Sequence, residues 1–227
     1  MDPRKPPEHI IEVFADPASV KDVLKGILNT IFFHRYFPCV RPDTFDVLDL
    51  TLPAIDDVEL ETLIDSRINT LVRQHLSSTS NSPNGGVRGR IAVQFFEKKR
   101  RKGGLWFGGL AGKNEEEVCW EIWTVNVTIA TPRTDSGSCD VGKTTALPTP
   151  MTCFFYIQVC LTGVIDRAKV RKAMEKMLQK AAFKILAIVN QGKDHIPPIT
   201  TSDANPFPYQ IVLNPKFDLW GNRLGFY

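Results

Sequence analysis

Apolar residues recur at helical spacing in three stretches of the chain and cluster or alternate as strands in five others. Val20, Val23, Leu24, Ile27, Leu28 and Ile31 return every three or four positions, which predicts a helix with one apolar face. Asp16-Pro17 opens it with a carboxylate cap and a proline whose missing N–H costs nothing in a first turn. A second helix carries Leu60, Leu63, Ile64, Ile68 and Leu71 behind Asp56-Asp57-Val58-Glu59, where Asp56 and Glu59 have capping-box spacing. The third and longest spans residues 166–190, with Asp166 as its cap and Gly192 and Pro197 as its stop. Val170, Ala173, Met174, Met177, Leu178, Ala181, Ile185 and Ile188 form its predicted inner face. At 1.5 Å per residue it runs ~37 Å, enough to cross a sheet.

The strand signals are shorter. Residues 9–14 form a first strand, and Phe45, Val47 and Leu50 alternate with aspartates in a half-buried strand before Pro53. Residues 91–96 and 118–130 are rich in β-branched and aromatic side chains and read as a long antiparallel pair. Residues 209–213 form a last strand fenced by prolines. Strict alternation places Trp120 and Trp123, three apart, on opposite faces of their strand. Residues 77–86, rich in Ser, Asn, Pro and Gly, read as a loop. The organisation predicted is a loose tail over residues 1–8, one domain over 9–213 and a tail over 214–227.

Residues 141–163 interrupt that plan, because they join a strand to a helix that would connect without them. Gly142-Lys143 can be encoded by a splice-donor-like sequence and Leu161-Thr162-Gly163 by an acceptor-like one, so the segment reads as an insertion such as a retained intron. The competing reading is a genuine extra strand over residues 154–159.

Composition narrows the class. The 227 residues are 43% apolar and 23% charged, a globular balance that excludes a wholly disordered or collagen-like chain. The net charge of +3 does not by itself imply nucleic acid. Five cysteines (Cys39, Cys119, Cys139, Cys153, Cys160) form an odd set without CxxC, which predicts free thiols in a reducing compartment. No basic-then-apolar leader and no ~20-residue apolar span is evident, so neither secretion nor membrane insertion is expected.

Three motifs carry candidate chemistry. Gly137-Ser138-Cys139-Asp140-Val141-Gly142-Lys143-Thr144 has the P-loop spacing, in which glycine amides wrap phosphates, Lys meets the terminal phosphates and Thr holds magnesium. A P-loop must open a helix, and Pro148 and Pro150 oppose one directly behind it. The basic run Lys98-Lys99-Arg100-Arg101-Lys102 reads as a solvated strand end, with nucleic acid, an import signal and an anionic membrane surface as alternatives. Trp106-Phe107 lies between Gly103-Gly104 and Gly108-Gly109, in the excursion joining the two long strands. Large aromatics among glycines at a loop tip have the character of a protein-binding anchor; the alternative is that they fold back on their own domain. His9, His34, His75 and His195 are scattered without metal-ligand or nucleophile spacing, so no catalytic residue, metal or cofactor is expected. His34, at a helix end, is expected to meet the terminal carbonyls.

The order of elements resembles a HORMA domain, an α+β fold with three helices on one face of a mainly antiparallel sheet. Three segments look like the pattern of the autophagy-related protein 101 family: Phe95-Phe96-Glu97-Lys98-Lys99-Arg100, then Trp106-Phe107, then Trp120-Glu121-Ile122-Trp123-Thr124-Val125. His195-Ile196-Pro197-Pro198-Ile199 and Pro206-Phe207-Pro208-Tyr209 look like its fungal form. The resemblance implies a non-catalytic scaffold of the autophagy-initiation kinase complex, cytoplasmic and at the phagophore assembly site. It implies pairing with the HORMA domain of autophagy-related protein 13, and recruitment of downstream factors through a finger made here by Trp106 and Phe107. The competing class is a nucleotide-binding protein using Gly137 to Thr144.

Overall fold

A computed structural model describes residues 5–38, 41–76, 87–100, 115–129, 150–199 and 205–215. In chain order these hold β1 (Glu8–Ala15), α1 (Val20–Arg35), β2 (Arg41–Val47), β3 (Leu50–Asp56), α2 (Val58–Leu76), β4 (Val87–Arg100), β5 (Glu115–Ile129), α3 (Pro150–Asn190) and β6 (Tyr209–Leu213). The main sheet has the order β1-β5-β4-β6. Its β5–β4 and β4–β6 pairings are antiparallel, whereas β1 lies parallel to β5, so the sheet is mixed. The β2–β3 hairpin is a separate two-stranded sheet. All three helices contribute to the same buried cluster as one face of the main sheet. This is an α+β fold consistent with a HORMA-like domain.

Burial follows the apolar stripes. From α1, Val20, Val23, Leu24, Ile27, Leu28 and Ile31 are all buried, and α2 contributes Leu60, Ile64, Ile68 and Leu71. The inward positions of the sheet supply Ile11, Val13, Ile91, Val93, Phe95, Trp123, Val125 and Val127. Gly26 sits where α1 crosses the hairpin. A Cβ there would come within 2.9 Å of Leu52 Cδ1 and 3.1 Å of Val47 Cγ1, so the missing side chain sets the close approach.

Several local readings are corrected. Regular helix in α1 begins at Val20, a turn behind Asp16-Pro17, while Asp16 caps as expected, its Oδ1 accepting from the Ser19 N–H at 2.6 Å and its carbonyl from the Val20 N–H at 3.0 Å. The cap of α2 is Asp57 rather than Asp56; its Oδ1 accepts from the N–H groups of Glu59 and Leu60 at 3.0 Å each. At the end of α1, Arg35 rather than His34 donates to a terminal carbonyl, reaching His34 O at 3.2 Å. Pro53 lies inside β3 opposite Thr44, which a two-stranded hairpin tolerates on its unpaired edge. The hairpin turn places Leu48 at φ 57°, in the left-handed region.

The largest correction concerns α3. Its backbone is already helical from Pro150, so Asp166 is interior rather than a cap, and residues 154–159 are helix rather than strand. Residues 141–149 of the expected insertion lie outside the described residues. Met174, Leu178, Ala181 and Ile185 are buried as expected, with Val189 added, while Val170 and Ala173 are exposed. The packed stripe therefore starts one turn later than the sequence pattern does.

Candidate functional site

Strand alternation breaks at one place, and that break builds the most unusual site among the described residues. β4 and β5 pair from Val87↔Ile129 to Arg100↔Glu115, with a bulge where Phe95 faces Glu121 and Phe96 faces Cys119. Trp120 is the extra residue. A bulge turns two successive side chains the same way, so Trp120 joins the core side instead of facing away from Trp123. Its ring lies 5.7 Å from Phe95 and 5.3 Å from Phe207, and both tryptophans belong to one cluster. The opposite-face expectation fails for that reason.

Next to Trp120, Glu121 points into the core and is fully buried. Arg35, the last residue of α1 and 2% exposed, meets it as a fork: Nε donates to Oε2 at 2.6 Å and Nη2 to Oε1 at 3.1 Å. Two histidines close on the same carboxylate. His195 Nε2, from the segment behind α3, is 3.0 Å from Oε1. His9 Nε2, from β1, is 3.3 Å from Oε1 without hydrogen-bond alignment, and its ring packs against Trp123 at 4.6 Å with a 49° tilt. One carboxylate thus ties together β1, α1, β5 and the chain behind α3.

The electrostatics are decided by the pair. Burial pushes the Glu121 carboxyl up, but the contact with His9 and the hydrogen bonds and charge of Arg35 outweigh it and hold the group down at about 2. A carboxylate held so firmly ionised is a poor general acid or base near neutrality. Among the described residues, His9, Glu121 and His195 are the group whose ligand atoms, all within 4.8 Å, could hold a metal. Arg35 already neutralises the carboxylate, and a divalent cation would sit beside its guanidinium. The arrangement works as a clasp rather than as a reactive centre.

The sequence reading missed this site because its residues are scattered through the chain. A signal was present, however. Glu121 shares inward parity with Trp123, Val125 and Val127, and Arg35 continues the helical stripe of Leu24, Leu28 and Ile31. Opposite charges at two core positions announce a buried pair.

The residues singled out in sequence fare differently. Trp106 and Phe107 lie outside the described residues, as does the P-loop-like stretch from Gly137 to Thr144. The register pairs Lys98 with Glu117, Lys99 with Glu116 and Arg100 with Glu115, so the described part of the basic run faces an acidic strand. Beyond the bulge, the strand pairing among the described residues is that of β4 with β5, and the Pro208 carbonyl accepts from the Phe96 N–H at 2.8 Å. Residues 101–114, including Trp106 and Phe107, connect the far ends of that ribbon. No described helix is long and apolar enough to cross a membrane.

Comparison with known proteins finds relatives along most of the chain. The family model described as Autophagy-related protein 101 matches residues 12–203. Autophagy-related protein 101 of Arabidopsis thaliana is 26% identical over 210 residues, covering 91% of this chain and 86% of that protein. Autophagy-related protein 101 of Schizosaccharomyces pombe is 24% identical over 204 residues, covering 89% and 84%. The chain belongs to the autophagy-related protein 101 family.

Proposed function

We propose that the protein is a non-catalytic scaffold of the autophagy-initiation kinase complex. In this reading it pairs with and stabilises the HORMA domain of autophagy-related protein 13, and Trp106 and Phe107 recruit later factors at the phagophore assembly site. The observation that carries it is the family match across residues 12–203, which implies an autophagy role. Two features support the finer reading. The Glu121 clasp holds its carboxylate ionised and paired, which suits a framework better than chemistry. Among the described residues the β4–β5 ribbon runs past its neighbouring strands, and the sequence places Trp106 and Phe107 between its two far ends. The acidic partners of Lys98, Lys99 and Arg100 favour a charge-paired strand end over an anionic membrane surface.

The test uses the full chain co-expressed with the HORMA domain of autophagy-related protein 13. Co-purification is expected, and the double variant Trp106→Ala, Phe107→Ala should keep both the melting temperature and the partner while losing recruitment of later factors in cells. Failure to co-purify would remove the pairing, and undiminished recruitment would remove the finger. Calorimetric binding of ATP and magnesium abolished by Lys143→Ala would replace the scaffold reading with a nucleotide-binding one.

A further inference from the structure

We propose that the outer edge of β1, with the lysine ladder of α3 beside it, docks an extended acidic peptide that adds to the sheet as a strand. Among the described residues β1 is an edge of the main sheet. Its backbone groups divide by parity. Pro7 O accepts from the Ile122 N–H at 3.0 Å, which turns the odd positions toward β5. Ile10 O accepts from Lys184 Nζ at 2.8 Å, which turns the even positions outward. The Asp16 N–H, also outward, is met by Met174 Sδ at 3.4 Å. α3 therefore runs antiparallel to β1 and touches both ends of its outer row, leaving the amides and carbonyls of Glu12 and Phe14 between them. Such a row is a template for one more strand.

The space beside that row is a groove of about 720 Å³ whose wall includes Ile10, Phe14 and Met177. Ile10 is 45% exposed, a large apolar side chain left uncovered on an edge strand. The opposite wall carries Lys176, Lys180 and Lys184, all exposed and, among the described residues, without an ion pair. Among the described residues Glu12 is the one carboxylate lining the groove.

Spacing selects the occupant. Residues four apart on a helix rise ~6 Å, and alternate residues of a strand are separated by ~6.6 Å. Successive lysines can thus meet successive same-side residues of a docked strand. Main-chain bonds to β1 would hold the peptide, and carboxylates at every second position would choose it. Three cations against one carboxylate set the required charge.

The probe is a fluorescein-labelled octapeptide of alternating Val and Glu, followed by anisotropy against the full chain at low salt. Saturable binding is expected, with a tenfold or greater loss in a Lys176→Glu, Lys180→Glu, Lys184→Glu variant, since reversal replaces three exposed attractions by repulsions. A copy of the peptide N-methylated on the strand-pairing amides should not bind. The variant should melt like the parent and still co-purify with the HORMA domain of autophagy-related protein 13, which separates this surface from the proposed pairing. Equal binding of a Val-Lys octapeptide, indifference to the variant or to N-methylation, or no saturable binding would overturn the proposal. Self-association by sedimentation that the variant abolishes would also overturn it, by assigning the groove to a second copy of the chain.

Discussion

Replacing Arg35 with methionine removes the guanidinium from Glu121 while keeping much of the side chain's apolar stem. Arg35 is 2% exposed and Glu121 is fully buried, so the carboxylate would be left in the core with the histidines alone. Stranding one partner of a buried pair costs about 3–5 kcal/mol. The carboxyl's own displacement has the same size: it sits at about 2 against an ordinary 4.5, or roughly 3 kcal/mol at ~1.4 kcal/mol per pH unit. Because the folded-state value is depressed, this stability is complete above the ordinary value and drains as pH falls from 4.5 toward 2. In Arg35→Met, burial acts on Glu121 without the opposing charge, so the carboxyl protonates more readily. The gap between parent and variant should therefore be widest near neutrality and narrow under mild acid. Urea unfolding followed by tryptophan fluorescence is a suitable assay, since Trp123 packs against His9 within the clasp. At pH 7 the melting point should drop on the order of 10 °C. Adding Glu121→Gln should recover at least half of the loss, because it removes the stranded charge. A loss under ~1 kcal/mol, or a gap that ignores pH, would refute the clasp as a stabilising pair.

Other perturbations test the packing. Leu178→Ala should cost ~2–5 kcal/mol in urea unfolding, because the side chain is fully buried; Phe183→Ser on the same helix, at 61% exposure, should change stability by under ~0.5 kcal/mol. Asp57→Ala should lower stability by ~1–2 kcal/mol by uncapping α2, while Asp57→Asn keeps most of it. The N–H of Leu60 and the hydroxyl of Tyr36 hold the Asp57 carboxyl below its usual range, so the penalty of Asp57→Ala should fade as pH drops below that range. Gly26→Val should destabilise by ~1–3 kcal/mol, read as a lower urea midpoint, because its side chain would wedge α1 away from Leu52 and Val47.

Three levels of information separate in this protein. Local periodicity sufficed for the buried stripes of α1 and α2, and β6 covers the residues the sequence pattern indicates. These elements bury a single face, so each carries its own orientation in its spacing. Periodicity also found the long β4–β5 pair, but not the bulge opposite Phe95, because alternation assumes an unbroken ladder. The bulge brings Trp120 into the core, and the faces of Trp120 and Trp123 were misread together.

The capping error has a similar origin. Asp56 and Asp57 are adjacent, and only the direction in which the chain enters α2 chooses between their carboxylates; Tyr36, from the end of α1, takes the other oxygen of Asp57. The inner face of α3 was legible from Met174 onward but not at Val170 and Ala173, since an apolar stripe records what can be buried while the length of the neighbouring layer determines what is. The parallel placement of β1 could not be read either, because strand order depends on which edge a returning chain reaches. The clasp required the tertiary structure most of all. His9, Arg35, Glu121 and His195 become neighbours only when β1, α1, β5 and the segment behind α3 converge. Sequence shows two charged residues standing at core positions; folding determines that they meet, because a buried carboxylate is tolerated only where a cation is held against it.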